Sequence, residues 1–216
     1  ITNVPKGLTP NDYVSVVSVN ELTNGRLAAR GLCEHMVAND KTKAGFITFD
    51  SNFYATNQRD TSAQQLIDED FPSIKIVAQT SFKKESEVFD KTLNLLAEYP
   101  EIEGIYTSWD GPAQQVIKAL NTIDRLDIIV GTVDLDFSSA LVIAEDGPIK
   151  CVSAQQPFEQ GRAIGLAAAQ SILYKDVPSF IAIEPIMVNK ENLLHSWRTV
   201  FKEEPPIELR ERLSGK

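Results

Sequence analysis

Cysteine and histidine are scarce in this 216-residue chain, with two of each. Cys33 and Cys151 fall on different predicted elements without CxxC spacing, so no metal or redox centre is expected and both read as buried small hydrophobes. His35 and His195 lie in predicted helices at opposite ends of the chain, which leaves no histidine beside a carboxylate for catalysis. No apolar run reaches ~18 residues, excluding a spanning helix, and no charged-then-apolar leader precedes the first strand. No Lys/Arg stripe opposes the net charge of −9, so nucleic-acid binding is not expected. No G-x-G-x-x-G sits at a strand-to-helix turn, and neither repeats nor low-complexity tracts occur. No cofactor is implied.

What the chain does contain is a rhythm. Five short apolar runs each stop on polar or aromatic residues and are followed by helical stretches: 44–49, 74–78, 104–106, 128–133 and 151–154. The intervening helices are predicted near 58–69, 86–97, 112–120 and 138–145, and a small-residue helix at 157–173 carries Pro157 in its first turn. Upstream, 1–5 reads as the end of a strand entering a Gly/Pro loop, 14–19 as a strand, and 21–37 as a helix capped by Asn20. Residues 38–42 read as a linker. Downstream, 180–184 and 186–188 are strand-like, followed by a helix over 191–201 and a charged tail. The expected fold class is α/β, with doubly wound parallel sheets and right-handed crossovers.

In an open α/β sheet the ligand crevice lies outside the carboxyl ends of the strands, so the residues that stop each run are the candidates. Trp109 and Asp110 put an indole beside a carboxylate, suited to the C–H face and vicinal hydroxyls of a sugar or polyol. Their competing roles are core packing for Trp109 and capping of the helix near Pro112 for Asp110. Asp134 ends the 128–133 run, and Gln155 both donates and accepts after 151–154. Arg59, expected in a long polar loop over 50–59, offers a fork of donors for adjacent oxygens or a surface ion pair with Asp60. Asp110 and Asp134 as a catalytic acid/base pair lack any supporting signature, and the TVDLDFS stretch at 132–138 sits on too late a strand for a phosphohydrolase nucleophile. Binding without reaction is the simpler reading, and no catalytic residue is assigned.

In order, these segments resemble the periplasmic sugar-binding proteins of ABC transporters, the ribose-binding and LacI-like branch of the type I periplasmic binding proteins. The most specific are FITFDSNFYATNQRD (46–60), LLAEYPEIEGIYTSWDGPAQQVIKAL (95–120), DIIVGTVD (127–134), AQQPFEQG (154–161) and VNKEN (188–192). The resemblance implies that Arg59, Trp109, Asp110, Asp134 and Gln155 bind sugar hydroxyls and that an aromatic near Phe82 stacks on the ring. Departures from the pattern are Ser62-Ala63 in place of the usual Gly-Phe and an extra residue before Asp134.

The family's two lobes, joined by three crossings, imply a partial N-terminal lobe from 1–41 and 154–184, a C-terminal ligand-binding lobe over 42–153, and a crossover with C-terminal extension over 185–216. The crossings are expected near 40–42, 153–156 and 184–186. Three βα units of the first lobe, on the order of 90 residues at ~30 each, have no counterpart, so exposed strand edges and apolar faces are expected. The implied function is a solute-binding component that delivers a sugar or polyol to a membrane permease, in the periplasm or otherwise outside the cytoplasm, with a lipid anchor on an upstream N-terminus as one option. The alternative is the effector-binding core of a LacI-type transcription regulator.

Overall fold

The computed structural model describes residues 7–9 and 11–215, so the strand end expected at 1–5 lies outside the described residues. The elements run β1 (Val16–Val19), α1 (Glu21–Ala38), β2 (Lys43–Phe49), α2 (Tyr54–Asp70), β3 (Lys75–Phe82), a 3-10 turn (Glu85–Glu87), α3 (Val88–Glu98), β4 (Gly104–Thr107) and α4 (Asp110–Thr122). There follow β5 (Ile129–Val133), α5 (Phe137–Ala144), β6 (Ile149–Ala154), α6 (Pro157–Ile172), β7 (Phe180–Ile183), β8 (Ile186–Asn189), α7 (Leu193–Phe201) and α8 (Ile207–Ser214).

Two sheets result. The larger has six strands in the order β3-β2-β4-β5-β6-β8, parallel except for β8, which pairs antiparallel with β6. Every residue of β4 and β5 is buried, because helices cover both faces of the sheet; this is why these strands read as unbroken apolar runs. On one face α1 and α2 close a core around Leu32, Met36, Phe46, Leu66 and Tyr106. On the other, α3, α4, α5, α7 and α8 close a second core around Ile105, Leu120, Val130 and Trp197. Burying each large aliphatic side chain stabilises by about 2 kcal/mol, so the two cores dominate the energetics. The charged tail contains α8, pinned by the fully buried Leu209 and by an Arg212–Glu145 ion pair.

The smaller sheet is the parallel pair β1–β7. Helix α6 packs on it through Ala167, its only buried residue, while Ile172 and Tyr174 are 76% and 99% exposed. Val14, Val17, Ile164 and Ile172 line an open apolar groove of about 370 Å³. Among the described residues this sheet has two strands, and apolar side chains such as Ile164, Leu166 and Ile172 on α6 are exposed, as expected from the sequence.

The grouping of 21–41 with this smaller sheet does not hold for α1, which packs on α2 and across β4, β5 and β6. The cause is its small-residue face. Gly25, Ala28, Ala29 and Gly31 let the helix lie close, and a Cβ at Gly25 would collide with the Arg59 carbonyl of α2. The chain therefore leaves the small sheet at Asn20, and the polar stretch 39–42 is the α1–β2 loop. Asn20 donates to Glu184 at 2.9 Å, and Gln156 donates to the Glu184 carbonyl at 2.8 Å, so all three passages between the sheets are hydrogen-bonded together.

Candidate functional site

Strands β2 and β4 are neighbours whose following helices leave to opposite faces, α2 toward α1 and α4 toward α3, which makes the gap beyond their carboxyl ends a topological switch point. Trp109 and Asp110 follow β4 there. Helix α4 begins at Asp110 itself, with Trp109 in the N-cap position and no side-chain cap, so Asp110 is a first-turn carboxylate and does not cap a helix starting at Pro112. Trp109 is half-buried and packs edge-on to Phe49 (centroids 5.2 Å apart) and tilted to Phe82 (5.3 Å).

Phe82 is 1% exposed and belongs to the core beneath that aromatic trio, so the ring expected to stack on a solute has no free face. Strand β3 continues through Thr80 and Ser81 in register with β2, pairing Phe82 with Phe49, and this carries the ring inside the sheet.

Arg59 also differs from the sequence reading. Nothing breaks the chain after Phe53, so α2 starts at Tyr54 and Arg59 stands in its second turn, 5% exposed. Its Nε and Nη2 both donate to the carboxylate of Glu21, the latter at 3.3 Å, and Glu21 is itself 4% exposed. Nη1 donates to the Ser108 carbonyl at 3.4 Å and lies 3.7 Å from Asp134 Oδ2. Burial disfavours the charged guanidinium, but the Glu21 hydrogen bonds with the charges of Asp134 and Glu21 outweigh it and raise the Arg59 pKa.

Asp134 follows β5 with φ of +74°. The other non-glycine residues with positive φ, Asp40, Asp124, Asp146, Tyr174 and Lys202, all sit at helix ends, where the left-handed turn is ordinary. At a strand end it is a local strain, and it sets the carboxylate between Arg59 and Gln155, whose Nε2 donates to Oδ1 at 2.6 Å. Gln160 of α6 in turn donates to Gln155 Oε1 at 3.3 Å. A pocket of about 350 Å³ opens beside this line, walled by Asp134, Leu135, Gln155, Pro157, Gln160 and Phe201. Burial raises the Asp134 pKa against the opposing pull of Arg59 and Gln155. Burial, then the charges of Asp134 and Asp136, raise Asp110 to about 6.

Four of the six candidates, Trp109, Asp110, Asp134 and Gln155, thus stand partly accessible at the strand ends, while Arg59 is tied beneath them and Phe82 is in the core. Beneath this edge lies a buried polar network: Ser153 donates to Asn24 at 2.7 Å, Asn24 to Glu21 at 3.3 Å, and Ser108 to Asp60 at 3.0 Å. Burial pushes Asp60 up to about 6, against the pull of its Ser108 hydrogen bond. Glu21 had one signal in the sequence: with Asn24, Ala28 and Leu32 it shares the spacing of the inward face of α1. Among the described residues no cluster of His, Cys, Asp and Glu could hold a metal ion, and no helix is long and apolar enough to cross a membrane.

The family model described as "Periplasmic binding protein domain" matches residues 3–175. No curated protein matches the chain. Among solved structures, a periplasmic solute-binding protein of an ABC transporter from Actinobacillus succinogenes 130z with bound D-allose is 24% identical with a TM-score of 0.74, over 83% of this chain and 63% of that one. A solute-binding protein from Bacillus halodurans C-125 with bound myo-inositol is 21% identical with a TM-score of 0.77, over 90% and 66%. A protein from Mycobacterium smegmatis with bound glycerol is 21% identical with a TM-score of 0.76, over 89% and 65%. At these identities the likeness is one of fold, and the chain spans just under two thirds of each of these structures.

Proposed function

The chain belongs to the periplasmic binding protein family, and from that membership we propose that it captures a sugar or polyol at the strand ends of the six-stranded sheet and hands it, unreacted, to a membrane permease outside the cytoplasm. The observation that carries this reading is the line Gln155–Asp134–Arg59, which fixes a carboxylate and an amide at the edge of a pocket, on the same side of the sheet as the strand-end residues Trp109 and Asp110. A fixed carboxylate accepts from solute hydroxyls, an amide both donates and accepts, and an indole covers the apolar face of a ring. Such groups, held rigid before the solute arrives, bind without the ordering cost a flexible site would bear.

The D-allose, myo-inositol and glycerol in the three structures above are all hydroxyl-rich, which supports the same solute class for this chain. We assign one lobe to α1 through β6 with β8, α7 and α8, and the facing lobe to the β1–β7 sheet with α6. The solute would sit where Asn20, Gln155 and Glu184 bring the passages together, and closure would be a hinge motion there. Isothermal titration of the chain with D-allose, D-ribose, D-arabinose and myo-inositol tests this. Binding of at least one, weakened about tenfold or more by Asp134→Asn through loss of a charge-assisted acceptor, is expected; a folded chain that binds none, or binds equally well as Asp134→Asn, refutes it.

A further inference from the structure

Arg59 is a guanidinium at the strand ends, yet it is 5% exposed and its donors point at protein acceptors. Its Nε and Nη2, the edge that grips a carboxylate or phosphate with two parallel hydrogen bonds, are closed by Glu21. Its Nη1 is directed at Ser108 and Asp134. The pocket wall carries the Asp134 carboxylate and the Gln155 and Gln160 amides with no basic residue among its lining, and Asp110 at the start of α4 is a second carboxylate near enough to feel the charge of Asp134. Glu21 is itself buried, at 4% exposed.

Resting on the reading that this edge binds a hydroxylated solute, we propose that Glu21 sets its charge selectivity. By holding Arg59 back it leaves the strand-end edge to the carboxylates of Asp134 and Asp110 and the Gln155 amide, so neutral sugars and polyols are admitted and sugars bearing a carboxylate or phosphate are turned away. Glu21 is a positioning residue, acting through Arg59. Replacing it with the neutral, isosteric glutamine frees part of the guanidinium edge and removes a negative charge behind it.

The test is titration calorimetry of the chain at pH 7 with D-allose and myo-inositol as neutral probes and D-glucuronate and myo-inositol monophosphate as anionic ones, together with the Arg59 Nε–H resonance by NMR. The wild type should bind an anionic probe at least about tenfold more weakly than its neutral counterpart, since like charges oppose each other across the site. Its Arg59 resonance should be unmoved by glucuronate. In Glu21→Gln the gap should narrow about tenfold and glucuronate should shift the resonance, neither of which a purely structural role for Glu21 would produce. Equal binding of neutral and anionic probes by the wild type overturns the inference, as does a folded Glu21→Gln that still rejects anions. If that variant does not fold, a shift of the wild-type Arg59 resonance on adding glucuronate still overturns the inference. A folded wild type that binds none of the probes removes the underlying reading, and this inference with it.

Discussion

The six-stranded sheet carries a core on each face, whereas the β1–β7 pair meets α6 through Ala167 and leaves Ile172, Leu173 and Tyr174 in solvent. Both are made from strand–helix units. The difference shows that such a unit becomes stable by what its neighbours cover: β4 and β5 lie between paired strands with a helix layer on each face, while α6 covers the β1–β7 pair through one buried residue. It also explains where a rigid site is found. The candidate residues project from the strands and helices of the larger sheet, whose packing holds the Glu21–Arg59–Asp134–Gln155 line in place.

The sharpest way to break this comparison is hydrogen exchange. Amides of β4 and β5 should exchange only on global unfolding, whereas those of β1 and β7 should exchange orders of magnitude faster through local opening; equal protection would remove the distinction. Next in size is Arg59→Ala, which leaves Glu21 charged and buried without its partner and should cost ~3–5 kcal/mol in urea unfolding. Leu32→Ala, in the α1–α2 core, should cost ~2–5 kcal/mol, while Ile172→Ala on α6 should change stability by less than about 0.5 kcal/mol.

The smallest effect sharpens the site itself. The Asp110 pKa is raised from 3.8 to about 6, so the folded state holds this proton more tightly than the unfolded chain. The cost of ionising it is absent below the unfolded value and complete above the folded one. Asp110→Asn should therefore raise Tm by roughly 3 °C at pH 7 and leave it unchanged near pH 3.5, read by circular dichroism. Solute affinity that depends on ionised Asp110 should fall as pH drops through about 6.

The parts of this molecule legible in its sequence share one physical property. Strands buried on both faces appear as unbroken apolar runs, and their ends, at Trp109, Asp134 and Gln155, could be read directly. What was not legible depends on partners distant in the chain. Glu21 looks like a first-turn helix acid until α2 brings Arg59 against it, 38 residues away. Phe82 looks like a strand-end aromatic because Thr80 and Ser81 interrupt the apolar run, although the ladder with β2 continues through them. The passage between the sheets at Asn20 hides behind an ordinary helix cap, since the side-chain bond to Thr23 is local and the bond to Glu184 is not.

The claim at the centre of this account is that solute meets the strand ends of the six-stranded sheet. Backbone amide NMR of the chain titrated with myo-inositol and D-allose tests it most directly. Shifts should concentrate at 109–110, 134–135 and 155–156, with the apolar groove along Val14, Val17 and Ile164 unmoved; shifts centred on that groove, with the strand ends silent, would contradict this placement.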